Sequence, residues 1–167
     1  MNRKVVIYAV LFVASVGLWV FMHSDKAQIK RVFSSVERIA RREPLEPVIE
    51  SVTRAQVLAA FFKEGCRFVV PEFGVRNSVS REGIAGAVMN LRTGTKNIEI
   101  RFRELEVEVD GAQAQVKARM DMAGTEATSF SFPLHPRTFI AHLEKIDGKW
   151  LISRIEIQQS QGKDADS

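Results

Sequence analysis

The chain has 167 residues, 46% of them apolar and 26% charged, with only 10 Gly and 5 Pro, a composition that argues against long disordered or low-complexity stretches. Without its N-terminal apolar segment about 140 residues remain, enough for one domain with a modest core and too few for two. The formal charge of +4 is unevenly divided: residues 1–42 hold eight basic and two acidic side chains, the rest sixteen and eighteen. The basic excess belongs to the N-terminal segment, so nucleic-acid binding by the remainder is not expected.

Residues 5–22 read VVIYAVLFVASVGLWVFM, eighteen positions without a charge. At 1.5 Å rise per residue such a run nearly spans a bilayer core of about 30 Å. It exceeds a usual signal-peptide core, and its end, LWVFMHS, lacks the small-x-small pair that cleavage needs, so an uncleaved anchor is expected. Arg3 and Lys4 favour a cytoplasmic N-terminus, whereas Lys26, Lys30 and Arg31 pull the other way. A short basic tail usually dominates, which makes this a single-pass inner-membrane protein with its domain in the periplasm. The expected division is 1–23 anchor, 24–158 domain and 159–167 disordered polar tail. Lys26, Lys30, Arg31, Arg38, Arg41 and Arg42 follow the anchor, where they can meet anionic lipid head groups or form a solvated helix face.

Ile29, Val32, Phe33, Val36, Ile39 and Ala40 recur at helical spacing, ending before Pro44 and Pro47. A second helix is expected over 53–64, with Val57, Leu58, Phe61 and Phe62 on one side and Gly65 beyond its C-terminus. A short strand, CRFVV, runs to Pro71. Ser80 then reads as the N-cap of a third helix, with Glu82 in its first turn, a stripe of Ile84, Val88 and Leu91, and Gly94 at its close. Thr93-Gly94-Thr95-Lys96 lacks the second glycine of a phosphate loop and is read as a helix-ending turn.

Beyond it the pattern is strand-like. Ile98, Ile100 and Phe102 alternate, the phase slips near Glu104 as at a β-bulge, and Leu105, Val107 and Val109 resume it. Asp110-Gly111 and Asp147-Gly148 are hairpin signals, the second joining strands over 138–145 and 149–157. Pro133 and Pro136 require a kink or a sheet edge. Ala112, Ala114, Val116, Ala118, Met120 and Met122 form one strand face, with Gln113, Gln115, Lys117, Arg119 and Asp121 on the other. The expected fold is α+β: an N-terminal transmembrane helix, then three helices packed on a curved antiparallel sheet.

This order, carried by LAAFFKEGCRFVVPEFG, SREGIAGAVMNL, IRFRELEVEVDGAQAQVKARM and FIAHLEKIDGKWLISRIEI, resembles the nuclear transport factor 2-like superfamily, the cone-shaped cystatin-like fold that includes ketosteroid isomerases. The resemblance implies a pocket between sheet and helices, used across the superfamily for catalysis, ligand binding or assembly. It implies no isomerase residues here. The only tyrosine, Tyr8, lies in the apolar run; Phe33 and Val36 stand on the helix face that meets the pocket; Phe68, Val69 and Val70 occupy the short strand, with Glu72 beyond it.

Polar candidates are few. His142 as a general base oriented by Asp121 is one catalytic pairing that can be drawn, although alternating polar residues on a half-buried sheet ordinarily face solvent. Arg119, His142, Phe102 and Trp150 are the candidate ligand contacts, with Trp150 better suited to the core. His135 and Cys66 have no partners at ligand spacing, so neither a metal nor another cofactor is implied. Cys66 is expected in the core. Two functions follow: a non-enzymatic assembly domain in a membrane complex, dimerising through its sheet, or a pocket for a small apolar molecule, for which Phe61, Phe62, Phe102, Phe130, Phe132, Met120 and Met122 would suit, with a mild isomerase-like or hydrolase step as a variant.

Overall fold

The computed structural model describes residues 24–42, 46–71, 74–95, 97–125 and 137–158. The expected anchor and tail lie outside the described residues, as do Phe130, Phe132, Pro133, His135 and Pro136. Among the described residues no helix is long and apolar enough to cross a membrane.

Among the described residues three helices follow the apolar periodicity, two of them opened by a serine cap. Helix α1 (Asp25–Ala40) starts where the Ser24 hydroxyl accepts the Ala27 N–H at 3.3 Å, with Asp25 in its first turn. It buries Ile29, Phe33, Val36 and Ala40. Helix α2 (Val48–Ala59) follows Pro47 and buries Ser51, Ala55, Leu58 and Ala59. Helix α3 (Arg81–Gly94) begins at Ser80, whose hydroxyl accepts the Gly83 N–H at 3.1 Å. Of its expected stripe Ile84 is buried, while Val88 and Leu91 are half-buried.

Among the described residues six strands, β1 (Phe62–Val70), β2 (Val75–Val79), β3 (Asn97–Asp110), β4 (Gln113–Thr125), β5 (Arg137–Ile146) and β6 (Lys149–Ile157), lie in the spatial order β2-β1-β6-β5-β4-β3. The sheet is curved and mixed, which corrects the antiparallel expectation. β1 runs parallel to β6 while every other pair is antiparallel. A second correction concerns α2, which ends at Ala59 instead of 64. Phe61 and Phe62 fit a helical stripe and a strand equally well, and the tertiary pairing decides: Ile152 N–H donates to the Phe61 carbonyl at 2.9 Å. Gly65 is therefore no helix cap. It lies inside β1 at φ +71°, where the β1–β6 register shifts between Phe62 and Arg67. The expected bulge in β3 is present, with Glu104 at φ +56° and a register shift between Arg103 and Glu106.

The helices cover the inner face of the sheet, which supplies Cys66, Ala114, Val116, Ala118, Phe139, Ala141, Leu143, Trp150 and Ile152 to one continuous core. Two contacts seat α1 beside the outer edge strand β3. The Glu37 carboxylate accepts the Phe102 N–H, and Arg42, just past α1, donates its N–H to the Ile98 carbonyl at 3.0 Å. They satisfy groups that an edge strand would otherwise leave unpaired.

Candidate functional site

Between the helices and the inner face of β3–β6 lies a cavity of about 230 Å³, not sealed from solvent. Phe33, Val36, Phe102, Met120, Phe139 and Ile155 are among its walls, and the surface it presents is wholly apolar. Phe102 stands edge-on to Phe33 and to Phe139, with ring centroids 5.3 and 5.4 Å away. The strand alternation that sends Ile98, Ile100 and Phe102 inward, and the 3.6-residue period of α1, bring these rings together.

One charged residue belongs to this wall, and it is structural in character. Arg92 is 1% exposed. Its guanidinium donates to the carbonyls of Ile39 and Ala40 at 3.1 and 3.0 Å, satisfying the C-terminal end of α1, and to Glu46 Oε2 at 2.6 Å. Ser51 donates to the same carboxylate at 2.7 Å. Burial pushes the Glu46 carboxyl up, but the hydrogen bonds from Ser51 and Arg92 and the nearby guanidiniums outweigh it and hold the group below the usual carboxylate range. Sequence reasoning missed this group. Its only local signal was a basic residue in the last turn of a helix.

The residues singled out from the sequence are dispersed. Phe102 lines the cavity. Trp150 is buried at 3% exposure away from it, donating from Nε1 to Asp25 Oδ1 at 3.1 Å beside the Lys145 ammonium. Arg119 and Asp121 lie on the outer face of the sheet, where Asp121 Oδ2 meets Arg103 Nε at 2.6 Å. His142 is also on that face, opposite Gln115 on β4. Asp121 is six residues further along β4, roughly 20 Å away at ~3.3 Å per residue, so the His142–Asp121 pair is not brought together.

His142 instead borders a polar cleft of about 370 Å³ with Lys63, Arg67, Glu144, Ser153 and Arg154. Its charges are largely matched internally. Lys63 meets Glu144 at 2.7 Å and Arg154 meets Glu156 at 2.6 Å. The Lys63 hydrogen bond, set against the burial that raises it, holds Glu144 below its ordinary value. The Ser153 hydroxyl donates to the His142 carbonyl, not to its imidazole, so no serine–histidine nucleophile is formed. Cys66 is fully buried, and burial pushes its thiol up to about 12, which keeps it protonated and inert. Among the described residues no group of three potential ligand side chains could hold a metal.

No protein-family model and no curated protein matches the sequence. Solved structures do match the fold. A nuclear transport factor 2-like protein with a cystatin-like fold from Novosphingobium aromaticivorans superposes with a TM-score of 0.63 at 14% identity, covering 91% of this chain and 92% of that one. The fold is that of the nuclear transport factor 2-like proteins. A candidate scytalone dehydratase from the same bacterium gives a TM-score of 0.59 at 16% identity over 80% and 83% of the two chains. A Kribbella flavida protein gives 0.61 at 12% over 81% and 90%. Within a nuclear transport factor 2-like fold the cavity occupies the hollow of the cone, and identities this low carry no residue roles across.

Proposed function

We propose that this chain is a membrane-tethered, non-enzymatic binding module that holds a small apolar molecule inside the cone of its nuclear transport factor 2-like domain. The wholly apolar cavity of about 230 Å³ supports the reading. An apolar cavity of about 150 Å³ already takes benzene, and drug-sized pockets run to about 300–1,000 Å³. The fitting molecule is therefore one or two rings, or a short chain. Dehydration or isomerisation needs an acid and a base at the reacting atoms. The described wall offers only Arg92, whose guanidinium is engaged by Glu46 and backbone carbonyls.

Residues 5–22 supply the tether in this reading, with the domain on the periplasmic side. A second reading, assembly with other membrane proteins, draws on Val48, Ile49 and Val57, exposed at 69%, 75% and 46% on α2. A homodimer through the sheet, the other partnership expected, would engage an outer face that carries charged side chains such as Lys117, Arg119 and Glu144.

The described core closes within residues 29–155, so residues 24–167, once shown to melt cooperatively, serve for the test. A neutral two-ring fluorescent probe, 1-naphthylamine, is expected to bind saturably at one site, and Val88→Phe, which fills the cavity, to weaken it at least tenfold. Emission that rises without saturation, or is indifferent to Val88→Phe, would sink the proposal.

A further inference from the structure

Every exposed position on α1 except Ser34 is basic: Lys26, Lys30, Arg31 and Arg38, followed by Arg41 beyond its end. At 3.6 residues per turn these positions fall on one flank of the helix. Arg38 and Arg41 then turn into a groove of about 470 Å³ between α1 and the edge strand β3, which Arg101 and Arg103 border from the other side.

Positive charge exceeds negative in this groove. Glu99 is shared by two guanidiniums, Arg41 at 3.0 Å and Arg101 at 2.8 Å, and Asp121 by Arg103 and Arg119. Glu37 is held by the backbone of β3. Arg38 has no ion pair among the described residues. The side chains of Arg41, Arg101 and Arg103 are each 58% exposed. Ion pairs that exposed contribute about 0–1 kcal/mol, so an incoming anion displaces them at little cost. Guanidinium forks also suit carboxylate and phosphate oxygens.

The groove and the apolar cavity share two residues, Ile100 and Phe102. Charge and apolar surface thus meet across a single strand: the inward side chains of β3 wall the cavity while its alternate arginines border the groove.

We infer that the ligand of the cone is a single-chain anionic amphiphile, its apolar part in the cavity against Phe102 and its anionic head in the groove among Arg38, Arg41, Arg101 and Arg103. The inference rests on the cavity being a binding site. It adds a requirement the cavity alone does not make, namely a negative charge at one end of the molecule. The wall explains why the head stays outside. It presents no polar atom, and a carboxylate drawn into it would be desolvated without a partner.

The test uses the full chain in nanodiscs of zwitterionic lipid, with an octanoic acid carrying a mid-chain diazirine, short enough for the cavity, and the matching octanol as probes. After irradiation, the acid is expected to label peptides containing Phe102 or Phe139 at least tenfold more than the alcohol does. The double substitution Arg38→Glu with Arg101→Glu, both at exposed positions, is expected to reduce labelling by the acid to the level of the alcohol. Unchanged labelling by the alcohol reports that the variant is folded. Equal labelling by both probes, or labelling by the acid that ignores the charge reversal, overturns the amphiphile while leaving the cone a site for apolar ligands. Labelling confined to residues 5–22 with both probes overturns the amphiphile and the cone site together.

Discussion

Arg92 and Glu46 form an ion pair in which the two side chains are 1% and 4% exposed, linking the last turn of α3 to the connection between α1 and α2. The same guanidinium holds the carbonyl end of α1. One side chain therefore joins α1, α3 and the start of α2, behind the apolar cavity. Removing one partner of a buried pair leaves the other charged and unsatisfied, at a cost of about 3–5 kcal/mol. Arg92→Met is expected to lower unfolding stability by about that amount in urea melts. Glu46→Gln, which keeps an acceptor for the guanidinium, should cost less. A loss below about 1 kcal/mol for Arg92→Met would show that the pair does not hold the helices.

Four carboxylates among the described residues are held below their ordinary range and make stability depend on acid pH, Glu99 chiefly through its hydrogen bond from Arg101. The hydrogen bonds from Lys145 and Trp150 depress Asp25, and the one from Lys63 depresses Glu144; in Glu46, burial raises the group but is outweighed by its hydrogen bonds. A carboxyl whose folded pKa lies below its unfolded value binds fewer protons in the native state. Its stabilisation is complete above the unfolded range, about 4, and is lost as pH falls through that range toward the folded value. The urea midpoint should be flat from pH 7 to about 5 and fall below about 4.5. The double variant Asp25→Asn with Glu144→Gln should start lower at pH 7 and fall less steeply. Parallel curves for the two proteins would place the acid sensitivity elsewhere.

Phe102 joins two aromatic contacts and one wall of the cavity while remaining half-buried. Complete truncation of a buried Phe costs about 3–5 kcal/mol, and partial exposure places this site near 2 kcal/mol. Phe102→Ala is expected to destabilise by about that much and to admit bulkier apolar ligands than the parent, read as a shift in ligand-dependent melting across a series of one-, two- and three-ring hydrocarbons. An unchanged size preference would remove Phe102 from the binding wall.

What the sequence revealed and what it concealed divide by distance along the chain. The stripe of α1, the Ser80 cap, the Asp110-Gly111 and Asp147-Gly148 turns and the slip at Glu104 are each written within a few neighbouring residues. The buried position of Cys66 was legible from its apolar neighbours. By contrast, β1 pairs in parallel with β6, more than 80 residues later, and that pairing draws Phe61 and Phe62 out of a helix they could equally have joined. The Arg92–Glu46 pair spans 46 residues and the Asp25–Trp150 hydrogen bond 125, and no local pattern signals either. The candidate site followed the same rule. Phe102 was found by alternation, whereas the groove beside it exists only because α1 lies along an edge strand.

The two bulges provide a pair of substitutions with opposite signs. Glu104 occupies φ +56° in β3, a conformation that costs an L-residue roughly 1–2 kcal/mol and a glycine almost nothing. Glu104→Gly relieves that cost but also frees the unfolded chain by about 0.4–1 kcal/mol, so a net gain of about 0.5 kcal/mol is expected. Gly65 occupies φ +71° in β1, and a Cβ there would stand 3.3 Å from Ser78 Oγ, which already donates to the Gly65 carbonyl at 2.9 Å. Gly65→Ala therefore meets both the backbone cost and a contact that can yield only by loosening the β1–β2 hydrogen bond. A loss of about 1–2 kcal/mol is expected. Urea melts of the two variants should move to opposite sides of the parent. Destabilisation by Glu104→Gly comparable to that of Gly65→Ala would mean that the Glu104 side chain, and not its backbone, holds the bulge in register.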